Sequence, residues 1–232
     1  MPSFDQNLLF VGGIQILILL LAISVHEAAH AWTALRQGDA TAAELGRVTL
    51  NPLRHLDPVG SLLLPLLLVF AGGPVFGWAR PTPVDARKLR DPRRDLLRVT
   101  AAGPLSNLLL SAAAAAVLAV VVRLLGPEAR EVAYLSLLRD IEAASALPHF
   151  PLMFTLVQVA FLNGFLAVFN LIPIPPLDGG QILLQILPPD WARRVAAVRP
   201  FGFMIVLALA MLNVLSLLVL PIYVALSLII NL

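Results

Sequence analysis

Polar residues occur in clumps along this chain, and the runs between them are too long and too apolar for the interior of a small globule. Leu8 to Leu35 is apolar apart from Gln15, Ser24, Thr33 and the cluster His26, Glu27 and His30. At about 1.5 Å per residue it is long enough to cross the ~30 Å apolar layer of a bilayer as one helix. Ala40 to Asp57 is mixed and closes on the turn signals Asn51-Pro52 and Asp57-Pro58, with Glu44 to Leu50 reading as a short strand. Gly60 to Ala71 is strongly apolar but short; it contains Pro65 and ends at Gly72-Gly73-Pro74.

Leu96 to Leu125 is a second long run, with Ala101-Ala102-Gly103 and Ala112 to Ala116 supplying the small residues that let membrane helices approach closely. Residues 126–149 are polar and amphipathic and read as external, and Leu152 to Ile172 crosses again. Gln181 to Arg199, with Trp191 and three arginines, reads as interfacial. Phe201 to Leu232 is either one tilted helix or a hairpin broken near Pro221. The pattern predicts an all-α polytopic membrane protein of about five to six transmembrane or re-entrant segments, near residues 8–35, 59–76, 96–125, 151–172 and 201–232, in one domain covering 1–232.

Composition and charge sharpen this. With 59% of 232 residues hydrophobic and 13% charged, the natural solvent is the lipid bilayer. The net charge of +2 does not imply nucleic acid, because the basic residues sit between apolar runs as topology signals. Arg36, Arg47 and Arg54 follow the first run while only Asp5 precedes it, which puts the N-terminus outside and Arg36 in the cytoplasm. Arg80 to Arg98 is the most basic stretch, so both flanks of the short run at 60–71 are basic and a re-entrant hairpin is expected there. Met1 to Gly13 holds no Lys or Arg, so the first run is read as a retained span and not a leader. The absence of cysteine excludes disulfides and thiolate metal sites, and no feature sets an oligomeric state.

The first span carries H-E-x-x-H as His26-Glu27-Ala28-Ala29-His30. Residues four apart share a helix face, so both imidazoles can reach one ion, and zinc accepts such nitrogens while keeping an open position. Glu27 projects about 100° round the helix, within reach of a metal-held water, as a general base must be. An ionisable Glu inside a span costs at least about 2–3 kcal/mol unless compensated, and a dication compensates it. A catalytic zinc needs a third protein ligand. Asp178 directly follows a span, in a stretch where Pro173, Pro175 and Pro176 prevent regular helix. Irregular backbone at membrane depth lines a cavity. By spacing alone Asp178 is equally a ligand or the N-cap of a helix before Gln181.

The two motifs together, His26-Glu27-x-x-His30 and Asn170…Pro173…Leu177-Asp178-Gly179, resemble the site-2 protease family of intramembrane zinc metalloproteases. Gly46-Arg47 to Gly60, Gly77-Trp78-Ala79-Arg80-Pro81-Thr82-Pro83-Val84 and Ala102-Gly103-Pro104-Leu105-Ser106-Asn107 resemble its small prokaryotic branch without PDZ or CBS domains. The resemblance covers roughly Ile14 to Gln181. It implies one Zn2+ per chain held by His26, His30 and Asp178, with Glu27 as general base and Asn170 holding substrate or oxyanion. It also implies a small membrane-associated β-hairpin or sheet around Trp78, beside the site, and membrane-spanning protein substrates cut in or near their transmembrane segments. The site is expected to open toward the cytoplasm of a prokaryotic cell.

Two further polar residues carry open readings. His55 is an additional ligand or proton shuttle, or a turn-stabilising loop residue. Asn107 bonds across helices near the site or is packing glue, and Gly103-Pro104 reads as a close helix contact. A transporter whose broken segment binds an ion would explain Pro173 to Gly180, but not a Glu placed inside H-x-x-x-H.

Overall fold

The computed structural model describes residues 6–72 and 75–231, and among them every regular element is helical. In chain order these are α1 (Gln6–Arg36), α2 (Thr41–Glu44), α3 (Leu64–Phe70), α4 (Pro92–Leu125), α5 (Pro127–Leu138) and α6 (Ile141–Ser145). They are followed by α7 (Phe150–Asn170), α8 (Asp178–Ile186), α9 (Pro189–Ala196), α10 (Gly202–Met211) and α11 (Val214–Asn231). Among the described residues five stretches are long and apolar enough to cross a membrane: Leu9–Arg36, Pro92–Leu125, Phe150–Asn170, Pro189–Met211 and Val214–Asn231. The protein is an integral membrane protein.

Helix ends follow local chemistry. Asp91 caps α4 by accepting from the Arg94 amide, with Pro92 at the first helical position, and Gly126 ends α4 at φ +84°. At 34 residues α4 is about 51 Å long, more than a bilayer core requires, so its arginine-rich first turns extend beyond the apolar layer. α4 packs along both α1 and α7, these two also touch, and α8 lies against α4. A second apolar cluster joins α4, α5, α7 and α11 around Leu118, Val132, Phe154 and Ile230. The polarity of a water-soluble globule is inverted: Gln15, Ser24, His26, His30, Asn107, Gln158 and Asn163 are buried, while Leu109, Leu124 and Met211 face outward.

The expected β-hairpin or sheet is absent among the described residues. Glu44 ends α2, and Gly46 at φ +66° turns the chain before it could run straight, so Glu44 to Leu50 is no strand. In the region around Trp78 where the hairpin is expected, Gly73 and Pro74 lie outside the described residues. Residues 75–85 form no regular structure, and their donors go to separate places and build no ladder. The Trp78 amide donates to Gly60 O at 3.1 Å, Arg80 to His55 O at 2.9 Å, and Thr82 to the Glu27 carboxylate at 2.7 Å. Pro81 and Pro83 have no amide to give. The last apolar run breaks at Leu212-Asn213, where Asn213 takes a left-handed φ of 57°, whereas Pro221 lies inside α11. Asp5 and Leu232 are outside the described residues.

Candidate metal centre

α1 presents His26 and His30 one turn apart, with their Nε2 atoms 3.0 Å from each other. α4 crosses them at Gly103, where a Cβ would fall 2.3 Å from His30 Nε2 and 2.6 Å from His26 Nε2. Only glycine lets α4 run this close to those nitrogens. The proline loop 173–176 folds back on the first turn of α8; a Cβ on Gly180 would meet Pro175 N at 2.2 Å. That turn aims Asp178, whose Oδ2 lies 3.0 Å from His26 Nε2 and 3.4 Å from His30 Nε2. The far end of α8 is tied to α4 by Arg93, whose guanidinium donates to the carbonyls of Gln185, Ile186 and Leu187. These are terminal carbonyls with no amide partner in their own helix.

The ring protons are placed by the outer contacts. His30 Nδ1 lies 2.7 Å from Val99 O, a carbonyl that only accepts, so Nδ1 carries the proton and Nε2 a lone pair. His26 Nδ1 lies 2.6 Å from Asn107 Oδ1, which imposes the same tautomer. Two nitrogen lone pairs and a carboxylate oxygen thus face one point, and Asp178 Oδ2 is buried with no hydrogen-bond partner. Three acceptors repel unless a cation joins them. Donors ~2.0–2.1 Å from one tetrahedral zinc lie ~3.3 Å from each other, which the observed 3.0–3.4 Å matches. His26, His30 and Asp178 could hold zinc.

Glu27 is different. A carboxylate oxygen lies within 4.8 Å of the histidine nitrogens, but Oε2 accepts from the Thr82 amide, and the Thr82 hydroxyl donates to Glu27 O at 3.1 Å. It lies close enough to the histidines to join them around an ion, but one of its oxygens is engaged by Thr82. A cleft of about 350 Å³ opens here, lined by His26, Glu27, Gly77, Trp78, Asn107 and Asn170 among others. Asn170 donates one amide hydrogen to Leu166 O in its own helix. His55 is not brought to the cluster: it is fully buried, contacts Thr49 O through Nε2 at 2.8 Å, and braces the turn under Arg80.

The segment carrying Thr82 is pinned further along by Asp39, just past α1. The Asp39 carboxylate accepts from the Thr41 amide and hydroxyl and from the Asp85 amide. Burial pushes this carboxyl up, but those hydrogen bonds outweigh it and hold the group below the ordinary carboxylate range. Thr82 and Arg93 escape a reading of the sequence, and Gly103 sets the close helix contact expected of it at the imidazole nitrogens themselves. Gly103 stands in a small-residue cluster that signals packing, and the proline flanks of Thr82 are the one local sign that its amide is the only donor across residues 81–83.

Residues 14–215 match peptidase family M50. The chain is 37% identical over 194 residues to "Putative zinc metalloprotease YwhC" of Bacillus subtilis, covering 84% of this chain and 78% of that protein. It is 32% identical over 203 residues to Rip2 of Mycolicibacterium smegmatis, covering 85% and 67% respectively. It is 33% identical over 209 residues to Rip2 of Mycobacterium tuberculosis, covering 88% and 71%; both Rip2 proteins carry the same zinc metalloprotease description. No solved structure gives a significant match. The family match runs from the middle of α1 into α11 and takes in every residue of the cluster: the chain belongs to peptidase family M50, the site-2 protease family of zinc metalloproteases.

Proposed function

We propose that this protein is an intramembrane endopeptidase that holds one zinc ion on His26, His30 and Asp178 and uses Glu27 as its general base. The observation that carries the reading is the division between the two carboxylates. Asp178 points a bare, buried oxygen at the two imidazoles, whereas Glu27 is held to one side by the Thr82 amide. Bound zinc supplies Lewis acidity and brings the pKa of its water toward neutrality. Glu27 takes the proton of the attacking water and returns it to the leaving amine nitrogen. Asn170, with an amide hydrogen beyond the one given to Leu166, donates to the developing oxyanion, worth about 3 kcal/mol by comparison with other such donors.

The substrate is a membrane-spanning protein, whose helix must unwind before its carbonyls are open to attack. Residues 75–85 offer the unwound chain a place to lie. Trp78 and Arg80 turn their amides and carbonyls inward: the Ser61 hydroxyl donates to Trp78 O and the Arg47 guanidinium to Arg80 O. Gly77, Trp78 and Ala79 all line the cleft. The site opens to the cytoplasm of a prokaryotic cell, since Arg36, Arg47, Arg54 and the run from Arg80 to Arg98 all lie in the chain between the end of α1 and the first turns of α4.

Purified protein should cleave a single-pass membrane substrate. Glu27→Gln should keep stoichiometric zinc and lose about 10²–10⁴-fold in turnover, the scale of a lost general base. Asp178→Ala should lose the zinc itself, read by elemental analysis. Equal turnover of Glu27→Gln and wild type removes the base assignment, and full zinc in Asp178→Ala removes the third ligand.

A further inference from the structure

The buried amides behind His26 form a directed chain. Asn163 Nδ2 donates to Val159 O at 2.9 Å. A carbonyl cannot donate in return, so the orientation of this amide is fixed and its Oδ1 is turned to Asn107. Asn107 Nδ2 donates both to that oxygen at 2.9 Å and to Ala22 O at 3.1 Å. Its Oδ1 is the atom left to face His26 Nδ1, at 2.6 Å. Reversing the Asn107 amide would set its oxygen against two acceptors and its N–H against His26, driving the ring proton onto Nε2. Both asparagines are buried, at 0% and 2% exposure, so water offers no alternative partner.

We propose that Asn163 and Asn107 are positioning residues for the metal centre. Together they lock His26 in the Nδ1–H tautomer and aim its Nε2 lone pair at the ion. The inference rests on the metal-centre reading and adds to it a relay of two residues, 56 positions apart, that never touch the ion. Partners behind a metal-bound histidine fix its tautomer and orientation, and their loss weakens metal binding by about 10–100-fold. His30 obtains the same service from the Val99 carbonyl, a backbone group that needs no further support. The relay instead takes one group from each of three helices, Ala22 in α1, Asn107 in α4 and Asn163 in α7. Metal affinity and the packing of those helices are thereby linked.

The test uses the full chain in detergent, with zinc affinity measured by chelator competition and the visible spectrum of the cobalt(II) form as a readout of the ligand field. Asn107→Leu should weaken zinc by about 10–100-fold and alter the cobalt bands. Asn107→Asp keeps an acceptor for His26 Nδ1 but loses both donors, and it should recover most of the affinity and the wild-type bands. Were Asn107 only glue between helices, Asn107→Asp would bind zinc as weakly as Asn107→Leu, and that result overturns the proposal. So does wild-type affinity in Asn107→Leu. If the leucine variant does not fold, Asn163→Ala replaces it, since Asn107 then keeps Ala22. A several-fold loss of zinc supports the relay, and an unchanged affinity refutes it. Wild-type protein that takes up neither zinc nor cobalt sinks the metal-centre reading, and the relay falls with it; intact uptake in all variants sinks the relay alone.

Discussion

The wedge of α1, α4 and α7 and the pair α10 and α11 are both made of apolar helices, yet they are held in opposite ways. In the wedge, Leu19 and Val99 are 1% exposed, and the helices are cross-linked by His26, Asn107 and Asn163. In the pair, Met211 is 81% and Leu217 66% exposed, and the Ser216 hydroxyl only bonds back to Asn213 O in the connecting turn. Lipid tails solvate leucine as well as another helix does, so apolar area alone gives little attraction. Small residues that allow close approach, and polar groups that find partners only across the interface, decide which helices hold together. The wedge has both. In the pair, Gly202 comes close to the proline loop and Leu226 and Ile230 enter the apolar core, but among the described residues no side-chain hydrogen bond ties either helix to the wedge, and Phe203 and Val206 of α10 line the cleft.

The sharpest break to this contrast is Gly103→Ala. On helix propensity it should stabilise α4 by about 1 kcal/mol, but its Cβ would sit where the two imidazole nitrogens are. Zinc affinity is expected to fall on the order of 100-fold or more, the upper range for disturbed metal support, while the helix content seen by circular dichroism is kept. Unchanged zinc binding would mean that α4 does not lie against the histidines.

Asp39→Asn should have an intermediate effect, costing about 1–3 kcal/mol through loss of charge-assisted bonds to Thr41 and Asp85. Because the folded Asp39 carboxyl is shifted down, its contribution is present above the unfolded carboxylate value of about 4 and is lost as pH falls through the lower folded value. Wild type and variant should therefore converge in thermal stability at acidic pH; a gap that stays constant down to strong acid would refute the assignment. Smallest is Leu217→Ala on the open pair, expected to stay within about 0.5 kcal/mol in melting and to leave zinc untouched. A loss of several kcal/mol there would show that the Leu217 face of α11 is packed.

What could be read in advance divides by sequence distance. His26 and His30 are legible because a helix turns their four-residue spacing into proximity. The apolar runs are legible because lipid demands continuous length. Asp178 emerges from spacing as a ligand or a cap in equal measure, and only the resemblance of its surrounding motif separates the two. An asparagine inside a span announces that Asn107 bonds across helices, but its partners His26 and Asn163, 81 and 56 positions away, have no local signature. The strand expectations failed because an extended run is not a ladder: its partners must also be extended, and those of Trp78 and Arg80 lie in helical and turn segments. Proline misled in the last span, since a membrane helix tolerates Pro221 while Asn213 alone takes the left-handed backbone that ends α10.

Three lone pairs pressed together bear on how the protein answers heat. On the proposed assignment an ion held by His26, His30 and Asp178 would clasp α1 to α8, acting as a rivet as much as a reagent. A ligand present at a thousandfold its dissociation constant raises stability by about 4 kcal/mol. Melting curves recorded with and without a chelator would then register occupancy of the centre in a preparation for which no cleavable partner has been found.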